Sequence, residues 1–275
     1  MSAKWYDATW GALQHETDPL RWRKTRSRVL IKEDIFHEGL STDWIDRVFA
    51  VMALSPQHTF LVLTKRSKRM REYFAARGSG DPWAEAADEI ADMIGMKEHP
   101  VVLEPRDIPL PNVWLGVSAE DQARADERIP DLLATPAAVR FVSAELLLGA
   151  IDFHDYFIRA VNGFSGRLDW IIVSGESGKD ARPLHPQWVR DIRDQCKEAG
   201  VPFWFEGWGE FAPSSLGPWV ARASQEERAL IKGEWTGSMA PITAAHPDTM
   251  NRVGKRRAGR LLDGVEHNEF PETRS

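Results

Sequence analysis

The sequence predicts an α/β chain of parallel strands, a partial (β/α) barrel of the TIM type. Six short, nearly continuous apolar runs recur between residues 29 and 205, and helical patterns fill the intervals between them. The runs start roughly 30 residues apart, with one interval of about 50. Strands buried on both faces read as unbroken apolar runs, and a strand–helix rhythm of this period builds right-handed parallel units. An open doubly wound sheet carries the same signature. The barrel is preferred because no Gly-x-Gly-x-x-Gly turn follows the first strand.

Each element has its own signal. Residues 4–10 offer an additional strand, followed by Val29-Leu30-Ile31. In 42–54 the apolar Trp44, Ile45, Val48, Phe49 and Met52 fall at helical spacing, and a strand follows at 59–63. The long interval holds an extra helical stretch around 82–96 before the strand at 112–117. A helix over 119–133 is expected to start from Ser118 as its cap, ahead of the strand at 139–142. The run Trp170-Ile171-Ile172-Val173 is followed by a helix over 186–199, which opens on Pro186 and stops at Gly200, and by a strand at 202–205. After about Phe211 the regularity ends. The division expected is a barrel over 1–212 and a C-terminal appendage over 213–275 packed on it, with a Pro/Ser/Gly loop at 213–218 and final residues that fray.

Composition narrows the function classes. The 275 residues are 43% hydrophobic and 28% charged, enough for a sizeable core in one large domain or two small ones. The net charge of −6 argues against a protein that coats nucleic acid through its overall field, so any basic footprint must be local. One cysteine, Cys196, excludes an internal disulfide and any site that needs several thiolates. The N-terminus has no apolar signal region, and nowhere do about 18 uninterrupted apolar residues occur. A soluble cytoplasmic protein without a membrane partner is expected.

The residues that follow the strands are chemically alike. They are Glu33, Asp34 and His37; Thr64, Lys65 and Arg66; Ser118 and Glu120; Ser143 and Glu145; Ser174, Gly175, Glu176 and Ser177; and Glu206, Trp208 and Glu210. A parallel barrel brings such residues to one mouth, where ligands gather. Clustered carboxylates raise one another's pKa, and a Lys or Arg among them restores ionisation. Such a mouth can bind an amine or a hard cation, or do acid–base work, although polar residues also end strands simply to meet solvent. The catalytic candidates are Glu206, Glu176, Lys65 and His37. The ligand-binding candidates are Ser174, Gly175, Glu176, Ser177, Glu145, Ser143, Ser118, Glu120 and Trp208. His37 and His185 lack the HExxH-type spacing of a metal site, so no metal is expected. Cys196 falls inside a helix, away from any helix N-terminus, and reads as an ordinary thiol.

Several ordered blocks carry a resemblance. They are residues 49–54, 57–66, Asn112 through Ser118, Arg140-Phe141-Val142-Ser143-Ala144-Glu145, Ser174-Gly175-Glu176-Ser177-Gly178, Val201-Pro202-Phe203, Trp208-Gly209-Glu210 and the tail from Arg252 to Gly264. Together they resemble a phage-associated family of unknown function with a radical-SAM-like three-cysteine motif. The resemblance implies a radical-SAM-like partial barrel in which Gly175-Glu176 meets the methionyl amine of S-adenosylmethionine.

Departures from that family cluster at the mouth. The N-terminal block of the family leads into a loop with three cysteines for a [4Fe–4S] cluster, whereas here Gly11-Ala12-Leu13-Gln14-His15-Glu16 runs directly to Pro19-Leu20-Arg21. No iron–sulfur cluster is expected, and without one S-adenosylmethionine cannot be reductively cleaved. It remains a ligand option by resemblance. The stretch after Ile31 is shortened, Glu206-Gly207 stands where the family has a Lys and a larger polar residue, and Ser174 replaces a glycine. Either decay or rebuilding of the pocket accounts for this.

Three readings follow. The first is a cluster-less barrel with a small-molecule pocket at the strand ends and no radical chemistry. The second is an acid–base catalyst with Glu206 or Glu176 as base, since a carboxylate near Trp204 and Trp208 can have a raised pKa. The third is a phosphate- or nucleic-acid-binding module built on two basic clusters, at residues 21–26 and at Arg252, Lys255, Arg256 and Arg257, against which the net charge argues.

Overall fold

The computed structural model describes residues 6–23, 25, 28–77, 81–96, 108–157, 166–213 and 250–272. Seven strands form one sheet: β1 (Ala8–Trp10), β2 (Val29–Ile31), β3 (Phe60–Thr64), β4 (Val113–Ser118), β5 (Val139–Glu145), β6 (Trp170–Ser174) and β7 (Phe203–Gly207). Each is parallel to its neighbour, and the order across the sheet is the order along the chain. A doubly wound sheet reverses its strand order at a switch point, and here there is none. The sheet curls into a partial TIM-like barrel, with β1 and β7 left unjoined as its two edges.

Helices α1 (Asp18–Arg21), α2 (Thr42–Ala53), α3 (Ser67–Ala76), α4 (Asp81–Ile94), α5 (Gln122–Ala134), α6 (His154–Phe157) and α7 (Pro186–Ala199) lie in the crossovers. The hydroxyl of Ser41 caps α2 by accepting the Trp44 N–H at 3.2 Å. Helix α5 begins three residues later than the sequence suggests. Ser118 is the last rung of β4, paired with Ser143, so its backbone is committed to the sheet. The cap falls instead to Asp121, whose carboxylate accepts the Arg124 N–H at 2.9 Å.

Alternate residues of the strands face two cores. Val62, Leu115, Val142, Ile171 and Phe205 pack outward against helical residues such as Val48, Ile129, Leu132, Val189 and Ile192. Leu61, Trp114, Val139, Phe141, Trp170, Ile172 and Trp204 form a second cluster inside the curl. Gly116 belongs to this inner face, and a Cβ there would come within 2.4 Å of the Phe141 ring. The missing side chain is what lets the ring lie across β4.

Order continues beyond residue 212. Strand β8 (Phe211–Pro213) pairs antiparallel with β9 (Met250–Arg252), which leads into the short helix α8 (Lys255–Ala258). The chain then runs along the free edge of β7: the Phe205 N–H donates to the His267 carbonyl at 3.1 Å, the Glu269 N–H donates to the Phe203 carbonyl at 3.3 Å, and Trp204 bridges Asn268. Phe270 then reaches the inner cluster, 4.7 Å from Trp204 and 5.0 Å from Trp170, with the Arg28 guanidinium 3.8 Å from its ring centre. Phe270 thus docks this segment of the tail on the barrel; the final residues, expected to fray, lie outside the described residues. Residues 4–5, Lys24, Arg26, 214–249 and 273–275, which include parts of the first strand, one basic cluster and the Pro/Ser/Gly loop, lie outside the described residues. Among the described residues, no helix is long and apolar enough to cross a membrane.

Candidate functional site at the strand ends

The polar ring sits on the strands themselves. Two positions beyond Leu63, Gly116, Phe141, Ile172 and Trp204, and so on the same inner face, stand Lys65, Ser118, Ser143, Ser174 and Glu206. Glu145 follows Ser143 at the same parity, and the register pairs Ser118 with Ser143 and Glu145 with Ser174. The barrel interior thus changes from aromatic to hydroxylic and acidic at its C-terminal end. Between β6 and β7 the register slips: Val173 pairs with Phe205 but Ser174 with Gly207, which leaves Glu206 as the extra residue of a bulge.

Ser143 is fully buried, and its hydroxyl has no hydrogen-bond partner among the described residues. Buried hydroxyls are nearly always satisfied, so this one is a candidate contact for a ligand or water atom. Ser174 is also buried, but its hydroxyl donates to the Gly175 carbonyl at 3.2 Å.

Most of the carboxylates are paired. The Lys65 ammonium bonds one oxygen of Glu120, and Arg128 holds the other at 2.9 Å while also donating to the Ser118 carbonyl at 2.8 Å. Burial pushes the Glu120 carboxyl up, but the Lys65 hydrogen bond and the Arg128 charge outweigh it and hold the group below the usual carboxylate range. Glu176 accepts the Arg182 backbone N–H at 2.6 Å and two guanidinium donors, one at 2.9 Å. It is only partly exposed, and the desolvation that pushes its carboxyl up is outweighed by the hydrogen bonds and charge of Arg182, which hold it low. Glu206 has a looser contact, 3.3 Å to Lys255 of α8. Asp34 accepts from the Thr64 hydroxyl at 2.5 Å, the Lys65 N–H at 3.0 Å and the Arg66 guanidinium at 3.0 Å, which ties the end of β2 to that of β3.

Other candidates stand elsewhere. Trp208 is buried against Phe205, and its indole N–H donates to the Leu261 carbonyl at 2.9 Å, so it anchors the tail. Gly175 is a packing glycine: a Cβ there would lie 2.2 Å from the Trp208 carbonyl oxygen. Ser177 is exposed. His37 is exposed and turned into its own loop, where its Nδ1 accepts the Gly39 N–H at 3.1 Å. The sequence reading missed Arg128 and Arg182 and assigned Lys255 to a nucleic-acid cluster. Arg128 did leave a signal, as a cation on the apolar stripe of Ala125, Ile129 and Leu132.

A thiolate-held cluster does not fit this site. The one cysteine is fully buried on α7 in the outer core, where burial pushes its thiol up. The residues after β1 form instead a tight turn: the Ala12 N–H donates to Glu33 at 3.0 Å, the Trp10 indole to the His15 carbonyl at 2.9 Å, and Arg47 clasps Glu16 at 2.7 and 3.2 Å. No group of three or more metal-ligating side chains occurs among the described residues. A cleft of about 660 Å³ lies at the opposite end of β7, lined by Cys196, Phe203, Val265 and His267 among others, and contains none of the candidate residues.

No curated protein and no solved structure matches the chain. A family model described as a protein of unknown function, DUF5131, matches residues 4–271. With nearly its whole length covered, the chain belongs to the DUF5131 family, whose function is not established.

Proposed function

We propose that the protein binds a small polar molecule in the inner layer at the strand ends and carries out no radical S-adenosylmethionine chemistry. One observation carries the reading: a fully buried Ser143 hydroxyl without a partner among the described residues, flanked in register by Ser118, beside Glu145 and Ser174 on one inner face. The resemblance read from the sequence blocks implies the same location, and a chain with one cysteine, buried on α7, cannot supply three thiolates to a cluster. The amine site implied at Glu176 is already filled by Arg182, so a methionyl amine would have to displace three hydrogen bonds.

The test is a thermal-shift panel of amino acids, nucleosides and sulfonium compounds, S-adenosylmethionine included. At least one compound is expected to stabilise the wild type and to lose that effect in Ser143→Val. A panel in which no compound distinguishes the two proteins overturns the proposal. With a strong reductant, S-adenosylmethionine is expected to survive uncleaved.

The acid–base reading rests on Glu206 rather than Glu176. Glu206 is mostly buried, sits at a bulge, and has one contact at 3.3 Å, whereas Glu176 is saturated by Arg182. A rate unchanged in Glu206→Gln across the pH profile ends that reading.

A further inference from the structure

Three ion pairs at the mouth are layered the same way, whereas Arg128, the second partner of Glu120, is 9% exposed and lies deeper than the carboxylate. Glu120, Glu176 and Glu206 are 12, 11 and 11% exposed, while their partners Lys65, Arg182 and Lys255 are 52, 59 and 45% exposed. Asp34 beneath Arg66 repeats the order, 20 against 31%. A cation that caps a buried carboxylate leaves its remaining N–H donors turned outward, and an ammonium has three. Solvent therefore meets the donors first, although the chain as a whole carries −6.

Helix α8 extends this rim. Arg256 and Arg257, beside Lys255, are exposed and have no partner among the described residues. The acids near the rim are largely occupied: Glu38 lies 3.4 Å from Arg66, Asp121 caps α5, and Glu210 accepts the Gly178 N–H at 3.1 Å. Asp180 is the exception, exposed and without a partner among the described residues. From β3, which leads into Lys65, to β7, beneath α8, the sheet takes four steps of about 4.8 Å, or roughly 19 Å along its curve. One phosphate can touch only one side of such a rim. A chain of phosphates can touch several.

We infer that the cationic rim over the buried carboxylates binds a chain of phosphates, with Lys65, Arg182, Lys255, Arg256 and Arg257 as its contacts. This deepens the pocket reading and rests on it: the serine layer takes the polar head of the ligand and the rim takes its phosphates. Two sources share that chemistry, a polyphosphate-bearing small molecule and a single strand of nucleic acid.

Fluorescence anisotropy of the full chain with a labelled single-stranded DNA of about 20 nucleotides, in competition with inorganic tripolyphosphate, tests the inference. Binding should weaken steeply with salt, and Arg256→Gln with Arg257→Gln should reduce the log–log salt slope by about 1.4, at roughly 0.7 per contact on a single strand. Both side chains are exposed and unpaired among the described residues, so the melting temperature should hold. Displacement of the DNA by tripolyphosphate, or tripolyphosphate binding alone, points to the small phosphate source; DNA that tripolyphosphate does not displace points to nucleic acid. Binding of neither probe at about 50 mM salt, or a slope unchanged in the double variant, overturns the rim. If the metabolite shift lost in Ser143→Val persists while both phosphate probes fail, the rim falls and the pocket stands. If phosphates bind and no metabolite distinguishes Ser143→Val, the pocket falls instead.

Discussion

Glu120 and Glu176 show at the level of single residues how the mouth is held in its charged state. Both carboxyls lie below the ordinary value of 4.5 in the folded protein because Lys65 with Arg128, and Arg182, outweigh the effect of burial. A group whose folded pKa is depressed contributes stability that is complete above its unfolded pKa and is lost as pH falls through the folded value. The urea midpoint is therefore expected to be level from neutral pH down to about 5 and to fall below about 4.5, and the Glu120→Gln, Glu176→Gln double variant should show a shallower fall. Equal acid dependence in the two proteins would show that these pairs contribute nothing. Gly209 offers a backbone test. Its φ is +75°, and a Cβ would stand 2.0 Å from the Glu176 carbonyl oxygen, so the loops after β6 and β7 touch backbone to backbone. Gly209→Ala should destabilise by more than about 1 kcal/mol in urea titration, since strain and clash add. The positions of Ser118, Ser143, Glu145, Ser174 and Glu206 at the strand ends were legible because the apolar runs mark the strands; the orientations of Trp208 and His37 were not, because they depend on what packs beside them.

Among the elements, the tail segment after α8 does the most that the sequence concealed. It lays an antiparallel stretch along β7, so that edge of the sheet does not present unpaired N–H and C=O groups to other chains. Phe270 closes the inner cluster against Trp170 and Trp204. Because Phe270 is half-buried, Phe270→Ala is expected to cost about 2 kcal/mol, below the range for fully buried phenylalanines, and Phe270→Leu less. Chemical denaturation of the two variants checks the order. Deletion of residues 266–275 should add concentration-dependent aggregation, read by light scattering, because the β7 edge is then bare. Helices α2 and α7 matched their sequence limits closely, since caps and periodicity agree there. The start of α5 moved to Asp121 because pairing with β5 claims Ser118, and sheet pairing is not a local property.

For the whole molecule, one outer core joins the barrel to residues that follow it. Phe211, Ala212, Met250, Ala258 and Leu262 belong to the same buried cluster as Val29, Phe49 and Val173. Unfolding is therefore expected to be a single transition in calorimetry, with equal calorimetric and van't Hoff enthalpies. A separate transition for residues 213–275, removed by deleting them, would contradict this. The sequence by itself determined the strand rhythm, the limits of α2 and α7 and the presence of a single cysteine, because each follows from local pattern or from counting residues. Only the tertiary structure decided that the strands keep chain order, that Arg128, Arg182 and Lys255 are the partners of the mouth carboxylates, and that the tail seals β7. Those outcomes depend on which distant segments meet when the sheet curls, and no short stretch of sequence records that meeting.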